Sequence, residues 1–253
     1  MRVTLLQSDI VWGDIDANIV QAQRLVDEAP KSQLYVLPEM WATGFTTQTI
    51  DGAIQEEGHP ALAWMRHVAD SRHCAVCGSL AISLESGSRR NRHYFVRPNQ
   101  DTIPYYDKHH LFTYGHENLH YTAGQQHTIV EWGGVRFLLL TCYDLRFPVW
   151  SRYGIAGEYD VIIVVANWPR SRHLAWQVLT RARAIENQCY LIGVNRVGAD
   201  PFTTYQGASC VISPKGSVLG QADDDRCMAL TVDLNMEDLD KMRSRFRVLD
   251  DRD

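Results

Sequence analysis

Val161 to Val165 reads Val-Ile-Ile-Val-Val, with no polar residue at any position. A strand with one wet face alternates polar and apolar residues, so a run like this belongs to a sheet covered on both sides. Leu34 to Leu37 has the same character, and so does Val135 to Thr141 after the Gly133-Gly134 turn signal. Such sheets need helices over their faces, and the chain supplies them. Ala17 to Asp27 carries apolar residues at Ile19, Val20, Ala22, Leu25 and Val26, and a second helix is expected near Pro60 to Ser71. His173 to Asn187 has Leu174, Val178, Leu179, Ala182 and Ile185 three or four apart. Further strands are expected at Val3 to Leu6, Cys74 to Ser83, Arg92 to Val96, Thr102 to Tyr106, Tyr190 to Val194, Gly207 to Ile212, Ser217 to Gly220 and Met228 to Val232. Turn signals at residues 85–89, 98–101 and 213–216 make some of these consecutive hairpins, and Asn235 to Arg245 closes the chain as a helix. The order predicts one layered α/β domain over residues 1–253, with helices outside and sheets inside.

Composition excludes several classes. A chain of 253 residues can bury a large core. Its 25 Lys and Arg against 30 Asp and Glu give a net charge of −5 with no basic block, which argues against nucleic acid as a partner. The apolar runs fall far short of the ~20 residues of a membrane helix, and the first nine residues read as a strand, not a signal peptide. Cysteines at 74, 77, 142, 189, 210 and 227 lie mostly inside apolar runs and read as reduced thiols of a cytoplasmic protein. Cys74 and Cys77 form a C-x-x-C pair, but Ala75-Val76 and Gly78 to Ile82 around them make a strand, not the loop-to-helix setting of a redox motif.

Three strand ends carry residues that a buried fold otherwise avoids. Glu39 follows Val-Leu-Pro, Lys108 follows Tyr-Tyr-Asp, and Cys142 follows Leu-Leu-Thr. Ligands of open α/β sheets bind at the carboxyl ends of strands, because the loops converge there. After Cys142 come Tyr143, Asp144 and Arg146, then Pro148 at a suitable first helical position and a helix to about Ala156. The thiol would thus sit at an elbow whose helix N-terminus lowers its pKa. A thiol, a carboxylate and an ammonium in one crevice form a working set for acyl transfer. The sulfur attacks, Glu39 moves protons, and Lys108 with the Tyr143 N–H stabilises the oxyanion. Spacing alone does not bring the three together, and singly each has an ordinary role as a buried thiol, a helix cap or a solvated cation.

Leu37-Pro-Glu39-Met40, Tyr106-Asp-Lys108-His-His-Leu-Phe112 and Cys142-Tyr-Asp-Leu-Arg-Phe-Pro148 resemble the three signature segments of the nitrilase superfamily of carbon–nitrogen hydrolases. Val165-Ala-Asn167-Trp168-Pro169, Arg181 to Gln188 and Asn195-Arg-Val-Gly198 extend the likeness, in order, over essentially the whole chain. The resemblance implies a four-layer α-β-β-α sandwich, a Glu39–Lys108–Cys142 triad, and pairing into at least a dimer. It also implies a second glutamate, matched by Glu117, that orients the lysine and the substrate amide. Physically, that carboxylate would keep Lys108 charged and raise the proton affinity of Glu39 by like-charge repulsion.

Within the superfamily, the run from Glu117 to Gly124 and the Cys142 and Asn167 segments look most like the bacterial omega-amidases. These release ammonia from the distal amide of 2-oxo acids such as 2-oxoglutaramate and 2-oxosuccinamate. Such a substrate carries a carboxylate and a keto group, for which Arg146, Asn167, Arg170 and Arg172 are candidate partners. Arg146 has an alternative role as an ion-pair partner of Asp144. Trp41, Phe45, Phe112, Tyr143 and Trp168 are the candidate aromatic wall. The expected protein is a cytoplasmic homodimeric thiol amidase acting on a small amide, with no cofactor and no metal. A carbamoylase, another aliphatic amidase and a nitrilase are the alternatives on the same triad, and a non-catalytic binding protein is one outside the class. His116-Glu-Asn-Leu-His120 also spells H-E-x-x-H, the zinc-peptidase pattern. That motif needs a helix with both imidazoles on one face and a third ligand. Gly115 and Thr122-Ala-Gly124 leave about one and a half turns for it.

Overall fold

A computed structural model of the chain describes residues 1–46, 54–56 and 58–252. The first half contributes β1 (Arg2–Gln7), α1 (Ile15–Glu28), β2 (Leu34–Val36), β3 (Ile54–Gln55), α2 (Pro60–Arg72), β4 (Ala75–Ser83), β5 (Arg89–Val96) and β6 (Tyr105–Asp107). The second half begins with α3 (Glu117–His120), β7 (Ile129–Trp132), β8 (Val135–Thr141), α4 (Pro148–Ser151), β9 (Val161–Ala166) and α5 (His173–Glu186). It continues with β10 (Tyr190–Asn195), β11 (Val197–Ala199), β12 (Thr204–Gln206), β13 (Cys210–Ile212), β14 (Val218–Gln221), β15 (Met228–Asp233) and α6 (Met236–Arg245). Thr- and Gly-rich residues 41–52 read from the sequence as a loop, of which the part from 47 onward lies outside the described residues.

One sheet runs β15-β1-β2-β4-β5-β6 with β3 beside β4, and the other runs β14-β13-β10-β9-β8-β7. In each, three neighbouring strands are parallel (β1, β2, β4 and β8, β9, β10) and antiparallel strands flank them. Side chains alternate across a strand with a period of two. Leu34 and Val36 of β2 therefore point between the sheets, and Tyr35 and Leu37 point toward α1 and α2. On β8, Phe137 and Leu139 fill the middle layer, and Leu138 and Leu140 face the α5 side. Both faces are covered, which is why these runs carry no polar alternation. Each fully buried Val, Leu or Ile contributes roughly 1.5–3 kcal/mol, so the three apolar layers together dominate any single polar contact. The result is the expected four-layer α-β-β-α sandwich. Among the described residues, no helix is long and apolar enough to cross a membrane.

The structure also departs from the sequence reading. Cys74 packs in the outer layer and Cys77 in the middle one, on opposite faces of the sheet, so the C-x-x-C pair does not face itself. The helix after Pro148 is a single turn and does not reach Ala156; the chain bends away through Gly154 and Gly157, both at positive φ. Helix α5 buries Trp176, Thr180, Arg183 and Ala184, and the apolar stripe Leu174, Val178 and Ile185 faces out.

Candidate active site

Strand β8 ends at Thr141, and Cys142–Arg146 forms a 3-10 turn before α4. Cys142 sits at φ 46°, in the left-handed region. A non-glycine residue held there costs of order 1–3 kcal/mol and persists only where its surroundings over-determine it. Asp144 supplies much of that constraint. Its buried carboxylate accepts hydrogen bonds from Thr141 N (3.0 Å), the Tyr106 hydroxyl (2.8 Å), and His110 N and Nδ1 (2.9 Å each). The elbow is thereby tied to the segment flanking Lys108. Met40 (φ 43°), next to Glu39, and His116 (φ 60°), just before Glu117, lie in the same strained region.

Glu39, Lys108 and Glu117 meet in the interior, each essentially without solvent exposure. Lys108 Nζ donates to Glu39 Oε1 and to Glu117 Oε2, both at 2.8 Å. Asn167 N donates to Glu39 Oε2 and Asn167 Nδ2 to the Glu39 carbonyl, both at 2.9 Å. Phe112 N donates to Glu117 Oε2 at 2.7 Å. Burial alone would push the Lys108 pKa down, but Glu117, then Glu39 and Cys142, hold it above its ordinary value. Burial pushes Glu117 up; Lys108 opposes this and Glu39 adds to it.

The thiol behaves differently from the sequence expectation. Burial and the negative charge of Glu39 push the Cys142 pKa well above the ordinary thiol value, against the pull of Lys108. The short 3-10 turn offers no helix dipole strong enough to reverse this. A pKa raised in this way favours the protonated thiol, so an attack by Cys142 would need a base to take its proton.

Glu39, Lys108, Cys142, Tyr143, Asn167 and Trp168 open onto one cavity of about 360 Å³, with Phe45, Phe112, Arg146 and Arg172 in its wall. Tyr143 packs edge-on against Phe112 (5.1 Å between centroids). The Arg146 guanidinium lies 4.9 Å from the Trp168 ring, and that of Arg172 lies 5.3 and 5.0 Å from the Phe112 and Tyr114 rings. Asp144 is occupied by the backbone, Tyr106 and His110, so it is not the partner of Arg146. Two candidates leave the site. Trp41 lies in the turn that follows Glu39 and is buried against Trp64 (5.1 Å) in the layer under α1 and α2. Arg170 is exposed and pairs with Asp225. Glu117 stands behind Lys108, off the cavity wall.

Sequence reasoning missed two features. Asn91, the third residue of β5, contacts both buried glutamates; the strand expected from Arg92 begins one residue later, so the sequence did not mark it as an asparagine in a strand. The β11–β12 hairpin closes one side of the cavity with Asp200, Phe202, Thr203 and Tyr205, and the Asn195-Arg-Val-Gly198 segment leads into it. The H-E-x-x-H reading fails on geometry. Helix α3 has four residues, His116 stands outside it, and Glu117 is spent on Lys108, Phe112 and Asn91.

Comparison with known proteins gives concordant results. The family profile described as carbon–nitrogen hydrolase matches residues 2–244. An omega-amidase, YafV, of Escherichia coli K12 is 41% identical, the match covering 100% of this chain and 97% of the relative. A 2-oxoglutaramate amidase of Bacillus subtilis is 32% identical over 98% of this chain and 96% of the relative. The crystal structure of XC1258 from Xanthomonas campestris, a CN-hydrolase superfamily protein with an arsenic adduct in its active site, superposes with a TM-score of 0.94. It shares 36% identity, covering 100% of this chain and 97% of that one.

Proposed function

The chain belongs to the carbon–nitrogen hydrolase family, and on that premise we propose that it is an omega-amidase, releasing ammonia from the distal amide of small 2-oxo acid amides through a thioester on Cys142. One observation carries the reading: a thiol, a carboxylate and an ammonium face the same small cavity, with a second carboxylate locked behind the ammonium. The relatives at 41% and 32% identity supply the substrate class.

Cys142 Sγ attacks the amide carbon as Glu39 takes its proton. The carbonyl oxygen becomes an oxyanion held by Lys108 Nζ–H and by the Tyr143 N–H, which stands at the open end of the 3-10 turn. Glu39 returns the proton to the departing nitrogen, ammonia leaves, and the acyl group stays on sulfur. A water then loses its proton to Glu39 and attacks the thioester. The second tetrahedral intermediate collapses to the free acid, and the proton on Glu39 restores the thiol. Glu117 holds Lys108 protonated throughout. Arg146 binds the substrate carboxylate: it stacks on Trp168, and no ion pair engages it among the described residues. Asn167, Phe112 and Phe45 shape the remainder of the pocket.

The enzyme is proposed to be cytoplasmic and homodimeric. Its free cysteines suit a reducing compartment, and the outward stripe of Leu174, Val178 and Ile185 on α5 suits a second copy. An ammonia-release screen over 2-oxoglutaramate, 2-oxosuccinamate, glutamine, N-carbamoyl amino acids and simple nitriles tests the substrate class. Turnover confined to carbamoyl compounds or nitriles would overturn the omega-amidase reading and spare the triad. Arg146→Met should raise KM for 2-oxoglutaramate by about 10-fold or more, the value of one charge-assisted hydrogen bond.

A further inference from the structure

Two carboxylates and one ammonium pack together with almost no exposed surface, and one amide side chain touches both acids. Asn91 Nδ2 donates to Glu39 Oε1 at 2.8 Å and to Glu117 Oε1 at 2.9 Å, while the Asn91 carbonyl accepts from Lys108 N at 3.0 Å. Asn91 is fully buried, and its Oδ1 has no partner. The two carboxylates facing Nδ2 fix the orientation of the amide. A flipped amide would set an oxygen against two carboxylates and leave both of them a donor short.

We propose that Asn91 is a positioning residue for the amidase reaction, a neutral clamp that holds Glu39 and Glu117 at fixed separation on either side of Lys108. The inference rests on the reading of Glu39 as the base. A second cation at this place would neutralise the cluster and weaken Glu39 as a proton acceptor for the thiol. A neutral donor satisfies the facing oxygens and leaves the cluster with a net negative charge. The two N–H groups of Nδ2 are divided one to each acid, so neither carboxylate can rotate toward the thiol without losing a bond. Charged or titratable groups face the pair from four other elements: Lys108 after β6, Cys142 after β8, Tyr121 after α3 and Tyr205 on β12. Burial pushes Tyr121 to about 12 and raises Tyr205, so both stay neutral. The remaining polar contact on Glu39 comes from the Asn167 backbone and side chain.

The test compares Asn91→Leu and the isosteric Asn91→Asp with the unaltered enzyme, using 2-oxoglutaramate. The clamp predicts a fall in kcat of about 10- to 100-fold, the worth of a charge-assisted hydrogen bond, with KM changed far less. It also predicts that the acid limb of kcat/KM moves to higher pH, further for Asn91→Asp than for Asn91→Leu, because the buried cluster loses a donor to its carboxylates and, in the first case, gains a negative charge. The pH dependence of Cys142 alkylation by iodoacetamide should shift in the same direction without any substrate present. Loss of activity with an unmoved acid limb, unchanged activity, or failure of both variants to fold would each overturn the role. Cys142→Ala is run alongside. If it retains ammonia release, the reading of the site has failed; if it is dead and the Asn91 variants keep the original pH limb, only the clamp has failed.

Discussion

Glu117→Gln removes a buried charge while keeping the shape of the side chain, and its consequences can be worked from three contacts. Glu117 Oε2 accepts from Lys108 Nζ (2.8 Å) and Phe112 N (2.7 Å), and Oε1 accepts from Asn91 Nδ2 (2.9 Å). Glutamine keeps an oxygen at one end only. The smaller conflict turns its oxygen to Lys108 and Phe112 and its NH₂ against the Asn91 NH₂. The Lys108 contact then loses its ion pair and keeps a hydrogen bond from the ammonium to a neutral oxygen, and an unsatisfied donor pair adds about 1–3 kcal/mol. If 1–3 kcal/mol of this total is felt in the transition state, kcat/KM for 2-oxoglutaramate falls roughly 5- to 150-fold. The acid limb should move to lower pH, opposite to the Asn91 variants, because the buried cluster loses a negative charge. Stability should respond the other way. Burial raises the Glu117 pKa in the folded state, so its contribution is present at low pH and lost as pH rises through that folded value. The variant escapes this loss, and its Tm relative to the unaltered protein should improve as pH rises above the unfolded carboxylate pKa of about 4.3. A kcat/KM within twofold, an acid limb that moves up, or a Tm gap that widens with pH would refute the reasoning.

Three further outcomes follow from particular contacts. Trp41→Ala empties a site packed against Trp64 and should cost roughly 3–5 kcal/mol of stability. Trp41→Phe should lower Tm with little change in KM, read by calorimetry and steady-state kinetics. Arg243 donates to Asp160 Oδ1 (2.9 Å) and the Tyr159 carbonyl (2.8 Å). Burial would raise Asp160, but Arg136 and then Arg243 hold it below its ordinary value. That stability is present above the unfolded carboxylate pKa of about 3.9 and lost as pH falls through the lower folded value. Arg243→Met should therefore reduce Tm by about 3–8 °C at pH 7, with the gap narrowing in a thermal melt as pH falls below the unfolded carboxylate pKa of about 3.9. His120→Ala should keep turnover within about twofold, since the imidazole stands off the cavity; a large loss restored by added zinc would contradict the geometry.

Much of the fold was legible because burial on both faces leaves an unbroken apolar record in β2, β8 and β9. The groups at the ends of strands were legible because Glu39, Lys108 and Cys142 are chemically out of place in such surroundings. Three kinds of information were not. Which face of α5 is inward depends on Trp176 and Arg183 finding partners, namely Ala208 O for the indole and Leu145 O for the guanidinium, so the more apolar stripe ended outside. The thiol pKa depends on burial and then on how closely a carboxylate approaches, neither of which spacing can express. The clamp at Asn91 needs β5 and β6 in register, Arg92 opposite Asp107, before that asparagine meets residues 52 positions before it and 26 after it.

The central claim is that the acyl group passes through Cys142. Rapid acid quench of the enzyme with 2-oxoglutaramate, followed by peptide mass spectrometry, measures this directly. The account predicts an acyl adduct on the peptide that contains Cys142, formed in step with a burst of ammonia and absent from Cys142→Ala, which releases none. Steady ammonia release from Cys142→Ala, or turnover of the unaltered enzyme with no adduct at any quench time, would contradict it.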